Sequence, residues 1–184
     1  FAQYAGLGWI GKHGCVINEQ LGSWLFLSVI VTTLDLPADE PALDQCGTCT
    51  LCIDACPTQA IVEPRVVDST RCLSYLTIEE RGDIPEPLRA GVGNRAYGCD
   101  VCQDVCPFNQ APAVSADPAW QPRSGLDGAR ARDLWLMSDP DLRRLMKGSA
   151  MTRAKLPVLR RNLALVLQAT GDAGDSAILD AILD

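Results

Sequence analysis

Two runs of cysteine constrain this 184-residue chain more than anything else in it. The first reads Cys46-x-x-Cys49-x-x-Cys52-x-x-x-Cys56-Pro57; the second reads Cys72, then Cys99-x-x-Cys102-x-x-x-Cys106-Pro107. Two-residue gaps let successive thiolates curl around three corners of a cube, and in two-cluster folds the closing cysteine of each run ligates the other cluster. The spacing therefore assigns Cys46, Cys49, Cys52 and Cys106 to one 4Fe–4S centre, and Cys56, Cys72, Cys99 and Cys102 to a second. Gly47 eases the first turn, and loop N–H groups aimed at the sulfurs would tune the potential. Proline after each closing cysteine fixes the direction in which the chain leaves.

Two other chemistries use cysteine in this density. Zinc needs four thiolates, commonly as two separated C-x-x-C pairs, and three evenly spaced cysteines followed by C-P fit it badly. Disulfide frameworks belong to small secreted chains with even counts; here the count is nine and 47% of residues are apolar. Cys15 stands apart from both runs and reads as a small buried apolar residue, not a ligand.

Cysteines held as thiolates imply a reducing compartment, so a cytoplasmic protein is expected. A formal charge of −7 argues, by itself, against nucleic-acid binding. The longest apolar run, Trp24 to Leu34, is broken by Ser28, Thr32 and Thr33 and is too short to span a bilayer, so no membrane association is expected. The chain starts at Phe1, inside what reads as a helix, and its last helices read as an incomplete repeat; both ends are expected to be cut from something longer.

Residues 1–44 read as a helix end, a glycine-rich loop and one strand, Leu25 to Leu34, apolar enough to be covered on both faces. Residues 45–110 form a ferredoxin-like two-cluster module, with Thr58 to Ile61 as a short exit strand or turn. Between Cys72 and Cys99 lies an insertion longer than cluster binding requires, expected to hold a helix near Leu73–Glu80 and a loop carrying Pro85 and Pro87. Residues 111–126 read as a linker. Residues 127–184 read as helical, from Leu134, Leu136 and Met137, then Leu142, Leu145 and Met146, then Leu159, Leu163, Val166 and Leu167. Pro157 suits the first turn of the long helix and Gly171 its C-terminal cap. A further helix from Asp175 to Leu183 would complete one antiparallel pair of an α-helical repeat. The class is α+β.

Charge is uneven. Between Leu142 and Gly171 stand Arg143, Arg144, Lys147, Arg153, Lys155, Arg160 and Arg161, with no acidic residue. A nucleic-acid footprint and a solvated helix face both explain this. The loop Gly6-Leu-Gly-Trp-Ile-Gly-Lys-His13 is neither a Rossmann nor a Walker fingerprint, and a tight structural turn explains it equally well. His13 is the only histidine, and a solitary histidine is more often structural than catalytic.

Read together, these stretches resemble the epoxyqueuosine reductase family. The resemblance rests on Ala5-Gly-Leu-Gly-Trp-Ile-Gly-Lys-His13, the Cys46–Pro57 run, Arg71-Cys-Leu-Ser-Tyr-Leu-Thr-Ile-Glu79 and Gly98-Cys-Asp-Val-Cys-Gln-Asp-Val-Cys-Pro-Phe-Asn109. It continues in Gly148-Ser-Ala-Met-Thr-Arg-Ala-Lys155 and Leu159-Arg-Arg-Asn162. The resemblance implies an oxidoreductase that reduces epoxyqueuosine to queuosine in the tRNA anticodon loop. Electrons would pass from a low-potential donor through two 4Fe–4S clusters to cobalamin. It also implies the end of a nitroreductase-like cobalamin domain over 1–44, HEAT-like repeats over 127–184 and a monomeric protein. Cobalamin would be lined by Gly6, Gly8, Trp9, Ile10, Gly11, Lys12 and His13, and bound base-off, because His13 lies outside any Asp-x-His-x-x-Gly motif. The segments Leu73–Glu79 and Asn94–Tyr97 would approach cofactor or substrate. Arg153, Lys155, Arg160 and Arg161 would contact tRNA. The family's proton-donating aspartate lies before the glycine-rich loop, so the chain as given is expected to be inactive alone. The competing functions are a corrinoid reductive dehalogenase and a non-catalytic two-cluster electron carrier.

Overall fold

A glycine-rich start followed by two short apolar pairs gives a minimal hairpin, and short elements are the rule throughout. In chain order they are β1 (Trp9–Ile10), β2 (Val16–Ile17), α1 (Leu51–Asp54), β3 (Ile61–Glu63), β4 (Val66–Val67), α2 (Leu73–Ile78), α3 (Glu86–Val92), α4 (Val101–Asp104), α5 (Ala131–Leu136), α6 (Asp139–Met146) and α7 (Lys155–Thr170). The computed structural model describes residues 1–111, 114–171, 178 and 180. Phe1–Asp68 with Asp100–Ser115 form one compact unit; Ser69–Cys99 with Ala116–Asp184 form the other. These units cut across the expected boundary after residue 44, because β1 and its hairpin pack on the cysteine runs.

In the first unit β1 and β2 pair antiparallel, with Trp9 opposite Ile17 and Ile10 opposite Val16. Glycine is required beside them: a Cβ on Gly8 would lie 2.1 Å from the Ile17 carbonyl oxygen. Trp9 and Ile17 are buried with Cys106, and Phe108 meets the Trp9 ring edge-on, centroids 4.8 Å apart. β3 and β4 form a second antiparallel pair, Ile61 opposite Val67. The turn at Thr58 and Gln59 leads into β3 as the sequence suggests.

The two cysteine runs repeat one backbone pattern. α1 and α4 are four residues each. The closing cysteines hang from them alike: the Cys56 N–H donates to the Ile53 carbonyl at 3.3 Å and the Cys106 N–H to the Gln103 carbonyl at 3.1 Å. After the second run Asn109 ties the unit together. Its Oδ1 accepts from the Ser23 N–H at 2.7 Å, and its Nδ2 donates to Ser23 Oγ and the Gln103 carbonyl, each at 2.8 Å. Gly22 has φ +72, and a Cβ there would lie 2.1 Å from Asn109 Oδ1, so no other residue fits.

Two expectations for the first 44 residues change. The helix end is a single turn, with the Ala5 N–H on the Phe1 carbonyl at 3.0 Å. Leu25–Leu34 is not a buried strand: it carries no strand or helix, and Phe26, Ile30 and Val31 are 85%, 86% and 94% exposed. Its β-branched, apolar composition suits a covered strand, but a strand needs ladder partners, and among the described residues none pairs with it.

The second unit is built on α7. Leu156, Leu159 and Leu163 pack with Leu134 of α5 and with Leu142 and Met146 of α6. Val166 packs with Leu73 and Leu76 of α2, Ile84 and Val92. At roughly 1.5–3 kcal/mol for each fully buried large aliphatic side chain, these contacts are what hold the short helices in place. Pro85 and Pro87 start α3 and do not sit in a loop; proline suits a first turn, where its missing N–H costs nothing. Pro157 lies in the first turn of α7, and Gly171 is its cap in extended conformation, φ −60 and ψ 142, so no left-handed residue is needed. Within the expected linker a 3-10 turn spans Pro118–Trp120. The expected helix from Asp175 to Leu183 lies outside the described residues apart from positions 178 and 180. Among the described residues no helix is long and apolar enough to cross a membrane.

Candidate metal centre

Within the first unit Cys46, Cys49, Cys52 and Cys106 line one cavity of about 210 Å³, together with Lys12 and His13. Local structure explains how they converge. Gly47 at φ +50 turns the chain so that the Cys49 N–H meets the Cys46 carbonyl at 3.1 Å. Cys52 rides on α1, and Cys106 arrives from the far run after α4. Among the described residues no three His, Cys, Asp or Glu side chains gather closely enough to hold a single metal ion; these four thiols ring a space instead.

The electrostatics fit that geometry. Burial pushes the Cys52 thiol up, and the Cys46, Cys49 and Cys106 thiols beside it push the same way. Burial likewise raises Cys106, against an opposing hydrogen bond from the Phe108 N–H. Thiols this crowded resist ionising together unless a cation compensates them, which iron would do. Cys56 shows the opposite balance. Burial raises it, but N–H groups of Ala60, Thr58 and Ile61 outweigh burial and lower it, with the Ala60 N–H 3.2 Å from the sulfur.

Donors converge on the first cavity from the glycine-rich loop. Trp9 Nε1 donates to Cys46 Sγ at 3.4 Å. Lys12 Nζ donates to the carbonyls of Gly47 and Cys49, each at 2.7 Å, bridging the cysteine turn. His13 is buried and accepts from the Cys15 N–H through Nδ1 at 3.1 Å. The Asp44 carboxylate accepts from the Cys46 N–H at 2.9 Å and pairs with Arg65. The N–H bond to Cys46 is the chief cause of its lowered pKa. Three of the seven residues expected at cobalamin are therefore directed at the cysteine loop. Gly8 and Gly11 are filled from behind by Ile17. Cys15 is half-buried, not fully buried as expected. The sequence signal for this support was the order Trp-Ile-Gly-Lys-His itself, which composition cannot connect to cysteines more than thirty positions away.

Of the second ligand set, Cys56 and Cys102 belong to the first unit, Cys72 and Cys99 to the second. Cys72 caps the start of α2, its carbonyl accepting from the Leu76 N–H at 2.9 Å. Cys99 packs against the α2 core.

In the second unit the basic stretch divides into two populations. Arg160 turns inward at the C-terminal end of α5: it donates to the Trp135 carbonyl at 2.5 Å, the Met137 carbonyl at 2.6 Å and Asp139 at 2.8 Å. Arg161 does the same for α2, donating to the carbonyls of Leu76 at 2.5 Å, Glu80 at 3.1 Å and Gly82. Neighbouring arginines thus close the ends of two helices, where orphan carbonyls and the helix dipole favour a cation. The expectation that both contact tRNA is corrected on that ground. Arg153 pairs with Glu79, and Lys155 is exposed. Asn162 is fully buried, donating to the Thr77 and Ala96 carbonyls at 2.7 and 2.8 Å. Tyr97 donates to the Ala150 carbonyl at 2.7 Å, so the Asn94–Tyr97 loop serves the fold of this unit.

Lys155 instead joins Arg143, Arg144, Lys147 and Thr152 around a concavity of about 430 Å³. Arg143 and Arg144 also pair with Asp139 and Asp141, at 3.9 and 3.1 Å, on the exposed face of α6. The sequence counted Arg143, Arg144 and Lys147 in the basic stretch without naming them as contacts. Their i, i+1, i+4 spacing, over the last turn of α6 and its C-cap, was the available signal.

The profile of the 4Fe-4S double cluster binding domain matches residues 45–109, which contain all eight assigned ligands. Along 90% of its length the chain is 46% identical to epoxyqueuosine reductase of Xanthomonas campestris, covering 47% of that protein. Over the length it covers, the chain is similar to the epoxyqueuosine reductases. The structure of the Bacillus subtilis epoxyqueuosine reductase superposes on 99% of the chain with a TM-score of 0.90 at 33% identity, covering 49% of that chain. A crystal structure of epoxyqueuosine reductase with an epoxyqueuosine-modified tRNA-Tyr stem loop gives a TM-score of 0.86 at 34% identity, over 94% of this chain and 46% of that one. The chain spans about half the length of the relatives it matches.

Proposed function

We propose that this chain carries the electron-transfer centres and part of the tRNA-binding surface of an epoxyqueuosine reductase. The observation that carries the reading is the ring of Cys46, Cys49, Cys52 and Cys106 around one cavity, met by N–H and ammonium donors from residues 9–13. These residues fit a 4Fe–4S cluster: four thiols, a cavity between them and hydrogen-bond donors around it. When bound, the clusters supply one-electron transfer. The chain's own part is to hold them. Cys56, Cys72, Cys99 and Cys102 hold the second cluster. Trp9 and Phe108 cover the first from water, and Lys12 fixes the Gly47–Cys49 turn.

In this reading Arg143, Arg144, Lys147, Arg153 and Lys155 meet tRNA phosphates, and Arg160 and Arg161 keep the helices beneath them in place. Four cations around one concavity support it. Residues 1–44 are then the end of a nitroreductase-like domain and 127–184 a HEAT-like segment of a monomeric, cytoplasmic enzyme fed by a low-potential donor. The resemblance also implies cobalamin at Gly6–His13. The side chains of Trp9, Lys12 and His13 do not fit that role, since they turn to the cysteine loop; these positions offer a corrin only backbone and half-exposed Leu7. Cobalt bound base-off remains part of the proposal because His13 lies outside any Asp-x-His-x-x-Gly motif.

The test is anaerobic reconstitution of full-length protein containing this chain with iron and sulfide, followed by incubation with cobalamin, reductant and epoxyqueuosine-containing tRNA and nucleoside analysis. Queuosine formed by the enzyme, and lost with the Cys49→Ala change, supports the proposal. Clusters that form and reduce without binding the tRNA stem loop would overturn its RNA half.

A further inference from the structure

We infer that His13 donates a hydrogen bond from Nε2 to a sulfur of the cluster held by Cys46, Cys49, Cys52 and Cys106, and that this bond raises the reduction potential of that cluster alone. The inference rests on the cluster reading above. Its starting point is an unmet donor: among the described residues, His13 Nε2 is the one buried side-chain nitrogen or oxygen without a hydrogen-bond partner. Buried polar atoms in folded proteins are nearly always paired, because an orphan keeps its full desolvation penalty. The geometry settles which form the ring takes. Nδ1 accepts from the Cys15 N–H at 3.1 Å, so the ring is neutral with its proton on Nε2.

The ring lines the cavity that the four cysteines share. Gly11 makes room for it, since a Cβ there would lie 3.1 Å from His13 Cε1 and 2.5 Å from Ile17 Cδ1. The loop holds this arrangement from both sides: Trp9 already donates to Cys46 Sγ, and Lys12 is anchored on the Gly47 and Cys49 carbonyls. The missing partner of Nε2 is therefore an acceptor inside the cavity, and cluster sulfur is one. A reduced cluster carries one more negative charge than an oxidised one. A fixed donor stabilises the reduced form more and moves the potential upward.

The test compares reconstituted wild type, His13→Phe and His13→Gln by EPR-monitored redox titration. Phenylalanine keeps a planar ring without the N–H; glutamine restores an N–H near the position of Nε2. The expected result is a shift of one cluster by about tenfold in its oxidised-to-reduced ratio at fixed potential, ~59 mV downward for a one-electron couple. The other cluster should not move, and glutamine should recover most of the shift. A role confined to accepting from the Cys15 N–H would move both variants alike, and that result overturns the inference. As His13 is the only histidine of the chain, ¹⁵N-histidine labelling adds a direct readout: a nitrogen coupling on one reduced cluster supports the bond. Two intact clusters with no such coupling refute it. Wild-type protein that binds no cluster at all would instead sink the reading on which the inference rests.

Discussion

Replacing Arg161 by lysine separates the two roles that a basic residue on α7 could have. The charge stays, but the planar fork that reaches the carbonyls of Leu76, Glu80 and Gly82 and the Asn162 side chain is removed. A lysine ammonium can replace one of these bonds with good geometry, leaving the end of α2 short of two or more donors. Hydrogen bonds to a charged partner contribute roughly 1.5–3 kcal/mol. Arg161 is partly solvated, so water recovers some of that and the net loss should be about 2–4 kcal/mol. For a chain of this size 1 kcal/mol is about 2–4 °C, so the midpoint of anaerobic thermal unfolding, followed by helical circular dichroism, should fall by roughly 5–15 °C. Affinity for a tRNA stem loop, measured well below that midpoint, should stay within about twofold, because Arg143, Arg144, Lys147 and Lys155 still line the same concavity. A variant with wild-type thermal stability and weakened RNA binding would refute the assignment and return Arg161 to the RNA surface.

Removing exposed charge should do the reverse. The double change Arg143→Ala and Lys147→Ala should weaken stem-loop binding and reduce the salt slope of log K by about 0.7–0.9 for each phosphate that is no longer neutralised, with the unfolding midpoint moving little; an unchanged slope would mean a solvated face. Lys155 has φ 59 and ψ 155, a backbone region costly for any residue but glycine. Lys155→Gly should therefore raise stability by about 1 kcal/mol while lowering RNA affinity, and loss on both counts would show that the side chain holds the α7 entry.

What the sequence made legible was whatever has a fixed local spacing. The cysteine runs assigned Cys46, Cys49, Cys52 and Cys106 to one set because a cubane dictates the gaps between its ligands. The long helix was legible because its leucines recur with helical period and Pro157 and Gly171 mark its ends. Spacing fails where the partner is distant. Nothing local distinguishes Arg160 and Arg161, which close helices, from Lys155, which faces solvent; the difference lies in carbonyls some 20 to 85 residues away. The same holds for Trp9, Lys12 and His13, whose partners are in the cysteine loop. Leu25–Leu34 misled for a related reason: its composition records the environment a strand would need, and among the described residues no such partner strand is present.

The central claim is two 4Fe–4S clusters with crossed ligands, and metal counting with EPR tests it most directly. Wild-type protein reconstituted anaerobically should hold about eight irons and eight sulfides per chain, as a double 4Fe-4S domain requires, and Cys106→Ala should lose the same cluster signal as Cys49→Ala while keeping the one that Cys102→Ala abolishes. Zinc in place of iron, four irons in the wild type, or Cys106→Ala and Cys102→Ala losing the same signal would contradict the account.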